Sequence, residues 1–234
     1  MINVAVSWRP SRDNSYSLKD VPVDIQLALY KYEVYDNNKE LILKEIEENP
    51  FKVRVVHLPL DTLKFSFNKA NELMDEIFKR CGCTNYVIHP NKDIEKFLKY
   101  MQAKSPQIAC VETFAWRKKK VFRSPLEIIE ACHKWRNTWM TIDTSHIEDT
   151  WFDYKIMYHL LKYTKVIHLS NRAKGLGSHL PFNHPEGELK LVAFVRDLKF
   201  RYNWNGIIVL EYMKEYSDKL IKNCMYIKRL LQEK

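Results

Sequence analysis

Six short apolar runs in this chain each deliver a side chain that can ligate a metal. VVHLP (55–59) carries His57, VIHP (87–90) carries His89 and VETF (111–114) carries Glu112. In TIDTSH (141–146) the apolar part stops at Asp143, and His146 follows three residues later. VIHLS (166–170) carries His168 and IIVLEY (207–212) carries Glu211. A short β-branched, apolar run closed by polar residues reads as a buried strand. One strand of this kind says little. Six, each with an imidazole or carboxylate at its C-terminal end, point to strands converging on one site.

Helical periodicity falls between these runs. A first strand is expected over 2–8 and a second over 23–30, with a polar, proline-containing loop between them. A helix is expected at 38–48, stopped by Asn49-Pro50. The order then becomes regular: strand 53–58, helix 68–80, strand 85–89, helix 92–102, strand 107–112. Next comes a helix at 124–135, entered through Ser124-Pro125, a favourable N-cap and first-turn pair. Strand 138–143, helix 151–163 and strand 165–169 follow. A long loop, 170–187, leads to a helix at 188–200, a last strand at 206–211 and an amphipathic helix at 216–232. Eight strands alternating with helices predict an α/β fold, a single-domain (β/α)8 TIM barrel over 1–234 whose first helix is missing or degenerate.

Length and composition agree. The 234 residues are ample for one hydrophobic core, and 46% hydrophobic with 29% charged residues is ordinary for a globular protein. No window approaches the roughly 18 apolar residues of a membrane span. MINVAVSWRP lacks a charged segment followed by a long apolar core, so the expected location is cytoplasmic, with no membrane partner. Five cysteines, odd in number and irregularly spaced, are expected to be reduced thiols. The net charge of +9 favours an anionic partner: a small anionic or sugar substrate, or nucleic acid. The sequence leaves the oligomeric state open.

In such a barrel the active site lies at the C-terminal ends of the strands. That face would hold His57, His89, Glu112, Asp143, His168 and Glu211, with His146 and His179 in loops above them. A lone carboxylate at a strand end is often only a capping residue. An ordered set of buried ionisable groups demands a partner. Imidazoles with carboxylates suit a divalent metal, zinc or manganese first, with cobalt or magnesium as further choices. His133 and His159 fall in helices and read as structural. The basic run WRKKKVFR (116–123) follows the Glu112 strand, and Arg172 and Lys174 follow the His168 strand; these cations are candidates to hold an anionic substrate, as are the rings of Phe114 and Trp116 to stack on it.

The ordered set Glu112, Asp143, His168, Glu211 resembles the metal ligands of the xylose isomerase-like TIM barrels, a superfamily that includes sugar-phosphate isomerases and epimerases and zinc-dependent abasic-site endonucleases. FRSPLEII (122–129) is similar to the approach to the helix before the Asp strand. GSHLPFNHPEGELKL (177–191) is similar to the loop carrying a His before a Gly-Glu-Gly-type turn, with a two-residue insertion. The endonuclease branch adds histidines at positions matched by His57, His89, His146 and His179. It also uses an Asp two residues before the last of these, where this chain has Gly177.

Two activities follow from the resemblance. In an isomerase or epimerase, a metal on the four core ligands polarises a sugar carbonyl, and Glu112 and Glu211 move a proton through an enediolate. His146, His179, Arg172 and Lys174 would then contact substrate. In the alternative, a zinc-dependent phosphodiesterase acting on abasic DNA, His57 and His89 ligate further ions. The missing acidic residue at Gly177 favours the isomerase or epimerase.

Overall fold

A computed structural model describes residues 1–10, 18–29, 31–59, 67–113, 122 and 124–233. Its ten strands are β1 (Asn3–Trp8), β2 (Asp24–Ala28), β3 (Val53–His57), β4 (Asn85–Ile88), β5 (Ile108–Glu112), β6 (Thr138–Asp143), β7 (Thr164–Leu169), β8 (Asn171–Ala173), β9 (Gly177–Leu180) and β10 (Ile207–Leu210). Eight of them close into a parallel barrel, in the order β1-β10-β7-β6-β5-β4-β3-β2, with β1 also paired to β2. This is the (β/α)8 barrel that the alternation of elements predicts.

Alternation along each strand sorts the core into two parts. Val4 and Val6, Val111, Met140 and Ile142, Ile167 and Leu169, and Ile208 and Leu210 face outward into one apolar layer. The helices cover that layer: α1 (Tyr32–Asn37), α2 (Lys39–Glu48), α3 (Phe67–Cys81), α4 (Ile94–Met101), α5 (Pro125–Lys134), α6 (Tyr154–Leu161), α7 (Leu191–Phe200) and α8 (Leu220–Leu230). The intervening residues face inward. Ala5, Val55, Val87, Cys110, Val166, Ile207 and Val209 fill the barrel with a separate apolar plug. Two residues further along, the same inward phase brings Ser7, His57, His89, Glu112, His168 and Glu211 to the C-terminal mouth.

Several elements differ from expectation. The single helix expected at 38–48 is preceded by α1, a separate short helix. The break is Asn38, whose φ of −122° lies outside the helical range and whose side-chain amide donates to the Val34 carbonyl at 2.8 Å. The helix expected from 151 starts as a 3-10 turn (Asp149–Phe152), and α6 begins only after Asp153, which accepts from the backbone N–H groups of Lys155 and Ile156. The loop expected at 170–187 contains an antiparallel hairpin, β8 and β9. The start of α5 is as expected, with Ser124 Oγ accepting from Glu127 N at 3.4 Å.

In the link from β1 to β2, the described residues contain only a 3-10 turn, Leu18–Asp20. Side chains from the following unit hold it. Glu45 accepts from Leu18 N at 2.7 Å, and Lys52 Nζ donates to the carbonyls of Leu18, Lys19 and Val21 at 2.9, 3.1 and 2.7 Å. The five cysteines form no disulfide. Among the described residues, no helix is long and apolar enough to cross a membrane.

Candidate metal centre

The inward phase places three metal-competent groups side by side at the mouth. Glu112, Asp143, His168 and Glu211 form the deepest. His57 and His89 join Glu112 on one side, and His146 and His179 join Asp143 on the other. Within each group, one ligand atom per residue lies within 4.8 Å of the others. Glu112 and Asp143 therefore each belong to two groups.

Glu112 is at the centre of the first junction. Its Oε1 lies 3.0 Å from His168 Nδ1. Its Oε2 lies 2.6 Å from His89 Nε2 and 3.3 Å from His57 Nε2. The His57 ring is set by its own backbone environment: Nδ1 donates to the Leu58 carbonyl at 2.9 Å, which turns Nε2 toward Glu112. Glu211 reaches the same imidazole as Glu112, with Oε2 at 2.9 Å from His168 Nδ1. Arg9, the next inward residue after Ser7, approaches Glu211 Oε1 at 3.5 Å.

Asp143 is oriented by its neighbours in TIDTSH. Its Oδ1 accepts from Ser145 N at 2.9 Å and from Ser145 Oγ at 2.8 Å, and its own N–H donates to Thr113 Oγ1. Oδ2 is thereby directed at the imidazoles, 3.2 Å from His146 Nδ1 and 4.0 Å from His179 Nδ1. The two rings meet edge to face, with centroids 4.8 Å apart. His179 takes a φ of +62°, an uncommon backbone for a non-glycine residue, and its carbonyl is pinned by Met213 N at 2.9 Å.

Burial and charge act against each other here. Burial alone would raise the Glu112 carboxyl. The charges of His89 and His168, with hydrogen bonds from His168 and His57, outweigh it and hold the group well below the usual carboxylate range. Glu211 behaves alike: burial raises it, and His168, His179 and His57 pull it well down. Burial would lower His168, but Glu211 and Glu112 on its Nδ1 side raise it well above the ordinary imidazole value. The three groups form a carboxylate–imidazole–carboxylate triad, with His168 Nδ1 between Glu112 and Glu211.

The donor set fits a divalent cation. Three carboxylates and an imidazole converge in a buried place, where positive charge is needed to offset them. Several inward polar atoms there, Ser7 Oγ, Gln26 Nε2, Thr141 Oγ1 and Asp143 Oδ2, have no hydrogen-bond partner among the described residues. A cavity of about 610 Å³ opens beside the cluster, lined by Arg9, His179, Glu211, Tyr212, Met213, Lys214 and Glu215.

The structure thus brings together His57, His89, Glu112, Asp143, His146, His168, His179 and Glu211. It places Arg172 and Lys174 elsewhere. The Arg172 guanidinium donates to the Ile147 carbonyl and lies 3.8 Å from Glu188, and Lys174 N donates to Glu188 Oε1. Both tie the hairpin to its surroundings, and neither lines the cavity. Arg9 and Lys214 are the cations that do. His133 packs against Tyr163 and His159 against Tyr158, on outer helices. His184 packs against Tyr216 and accepts from Glu186 N. Phe114, Trp116 and the basic run, apart from Phe122, lie outside the described residues. Sequence reading missed Gln26, whose Oε1 lies 2.9 Å from His168 Nε2. The available signal was a lone amide at an inward position of an apolar strand.

No protein-family model matches the chain, and no curated protein matches it in sequence. Solved structures do match in shape. A xylose isomerase domain-containing protein from Salmonella typhimurium aligns over 99% of this chain and 97% of its own, with 13% identity and a TM-score of 0.68. The apo form of a 3-keto-D-glucoside 4-epimerase from E. coli aligns over 98% of this chain and 100% of its own, with 10% identity and a TM-score of 0.66. A D-tagatose 3-epimerase-like protein aligns over 98% and 96%, with 14% identity and a TM-score of 0.59. These structures share with this chain the fold of an eight-stranded parallel barrel.

Proposed function

We propose that the protein is a divalent-metal-dependent isomerase or epimerase acting on a sugar or sugar phosphate. The observation that carries this reading is the pair Glu112 and Glu211. Both carboxylates reach one point, 3.0 and 2.9 Å from His168 Nδ1, beside a cavity sized for a small molecule. Two solved structures of the same fold are described as a sugar epimerase and an epimerase-like protein, which supports the class of substrate.

Glu112, Asp143, His168 and Glu211 would hold the metal, with manganese or zinc suited to this oxygen and nitrogen set. When bound, the ion supplies Lewis-acid polarisation of the sugar carbonyl. The protein's own residues perform the proton transfer. One glutamate, ionised, takes the proton from the carbon next to the carbonyl; the C–H electron pair becomes the C=C bond and the carbonyl π pair moves onto oxygen, giving an enediolate. The other glutamate, entering that turnover protonated, gives its proton back to carbon as the enediolate collapses, so one carboxyl gains the proton that the other loses. Arg9 and Lys214 present positive charge to an anionic group on the substrate. His179, held by its strained backbone, lines the same cavity.

The test is carbon-bound deuterium. Keto sugars and their phosphates are incubated with the metal-loaded protein in D2O, and exchange at the carbon next to the carbonyl is followed by NMR. A substrate should exchange, and Glu211→Gln should slow exchange about 10²–10⁴-fold while the variant stays folded. Exchange at the wild-type rate in Glu211→Gln would sink this reading.

A second reading rests on a specific observation, the three ligand groups joined through Glu112 and Asp143. Residues grouped in this way would hold more than one divalent ion, and such ions would supply the charge stabilisation that attack on a phosphodiester needs. Elemental analysis separates the two. About one metal per chain supports the isomerase or epimerase; two or three zinc ions, with cleavage of an abasic oligonucleotide, support the phosphodiesterase.

A further inference from the structure

We infer that Gln26 is a positioning residue for His168: its amide oxygen accepts a hydrogen bond from the imidazole Nε2–H and so leaves Nδ1 presented to Glu112 and Glu211. The inference rests on the metal reading for its consequence, though not for its geometry. Gln26 on β2 and His168 on β7 are fully buried, with β1 and β10 between their strands, and their side chains meet at 2.9 Å inside the barrel. On the other edge of the ring, Nδ1 lies 3.0 and 2.9 Å from the two glutamates.

Strand phase puts Gln26 there. Its neighbours Ile25 and Leu27 face the outer apolar layer, so position 26 faces inward, beside Ser7 on β1. An apolar residue at this position would fit a core strand better. The amide nitrogen of Gln26 has no partner among the described residues, so the side chain carries the cost of a buried, unsatisfied donor. What it returns is the oxygen's bond to His168. An imidazole ligand commonly has its second nitrogen held by an acceptor, which fixes both tautomer and ring plane.

The acceptor is also neutral. Three carboxylates already crowd the centre, so a fourth at position 26 would add negative charge to a buried site. An amide orients the ring without adding any.

The experiment compares wild type, Gln26→Leu and Gln26→Glu in two measurements. In the first, cobalt(II) is titrated into the metal-stripped full-length protein against a competing chelator. Gln26→Leu should weaken affinity 10–100-fold, and Gln26→Glu should remain within a few-fold of wild type, because it keeps the acceptor oxygen. In the second, 15N NMR of the metal-stripped protein follows the His168 Nε2–H signal. It should be protected from exchange in wild type and Gln26→Glu and lost in Gln26→Leu. A packing role alone would lower the melting temperature of Gln26→Leu without moving either readout. Unchanged affinity or an unchanged Nε2–H signal in a folded Gln26→Leu overturns the inference. If Gln26→Leu does not fold, Gln26→Asn, which withdraws the oxygen by one methylene, takes its place. If wild type binds no cobalt, the metal reading fails, and the NMR measurement still decides the positioning role.

Discussion

His168 joins three side chains of the site. Its Nδ1 faces two carboxylates and its Nε2 faces an amide oxygen, all in a fully buried place. The charges that surround it make the stability of the metal-stripped protein depend on pH, with a definite sign. His168 is raised above its unfolded value of 6.5, so its contribution is complete below that pH and is lost as pH rises through the folded value. Glu112 and Glu211 are depressed below 4.5, so their contribution is complete above that pH and is lost as pH falls through the folded values. Between about 4.5 and 6.5 all three contributions are present together. Urea unfolding of chelator-treated protein should therefore give a higher midpoint near pH 5.5 than at pH 9, and His168→Asn should flatten that difference. A wild-type midpoint that rises from pH 5.5 to 9 would contradict the triad. Metal uptake should run the opposite way, strengthening as pH rises, because the ion competes with the proton on Nδ1.

At the scale of elements, the hairpin that follows β7 decides where His179 sits. One buried side chain organises it. Asn171 Nδ2 donates to the carbonyls of Phe182 and Leu189, and its Oδ1 accepts from Leu189 N and Arg172 N. Gly187 packs so closely against this amide that a Cβ would lie 2.3 Å from Nδ2. Asn171→Ala should remove these four bonds and cost about 1–3 kcal/mol for each backbone group left buried with no other partner, the Leu189 carbonyl keeping its bond from Leu191 N. It should also free His179 from its position beside Asp143. Thermal denaturation reads the first effect, and faster hydrogen exchange across 177–190 reads the second; unchanged exchange there would refute the role. This organisation was not legible in the sequence. Within HLSNRAKGLG an asparagine looks like any loop residue, and its four partners come from backbone up to 18 positions away. Gln26 was hidden for the same reason, since an amide among apolar residues carries no periodic signal. The strand-end ligands were legible because alternation and burial fix which way a side chain points. Arg172 shows the limit of that reasoning: sequence placed it after the right strand, but its guanidinium lies toward Glu188 and the Ile147 carbonyl.

At the scale of the molecule, the barrel interior divides along its axis. The N-terminal part is the apolar plug of Ala5, Val55, Val87, Cys110, Val166, Ile207 and Val209, and the C-terminal part is the polar ring of ligands. The plug lies two residues below the ring on strand after strand, from Val55 to His57, Cys110 to Glu112, Val166 to His168 and Val209 to Glu211. The same barrel thus carries apolar packing at one end and the metal-competent side chains at the other. This division is why six strand-end residues could be found from a pattern of apolar runs: in five of them a plug residue stands two positions before a metal-competent side chain, and Thr141 takes that place before Asp143. It also predicts that the two ends can be separated by mutation. Ile207 lies one inward step below Val209 and two below Glu211. Ile207→Ala should leave a cavity in the plug and cost about 2–5 kcal/mol. Because the substitution shares no partner with the ligand atoms, metal affinity in the folded protein should stay within a few-fold of wild type. Denaturant unfolding and metal titration of the same sample read the two quantities. A drop in affinity as large as that expected of Gln26→Leu would mean that the plug itself sets the ligand geometry, and that the barrel works as one body rather than as a scaffold beneath a site.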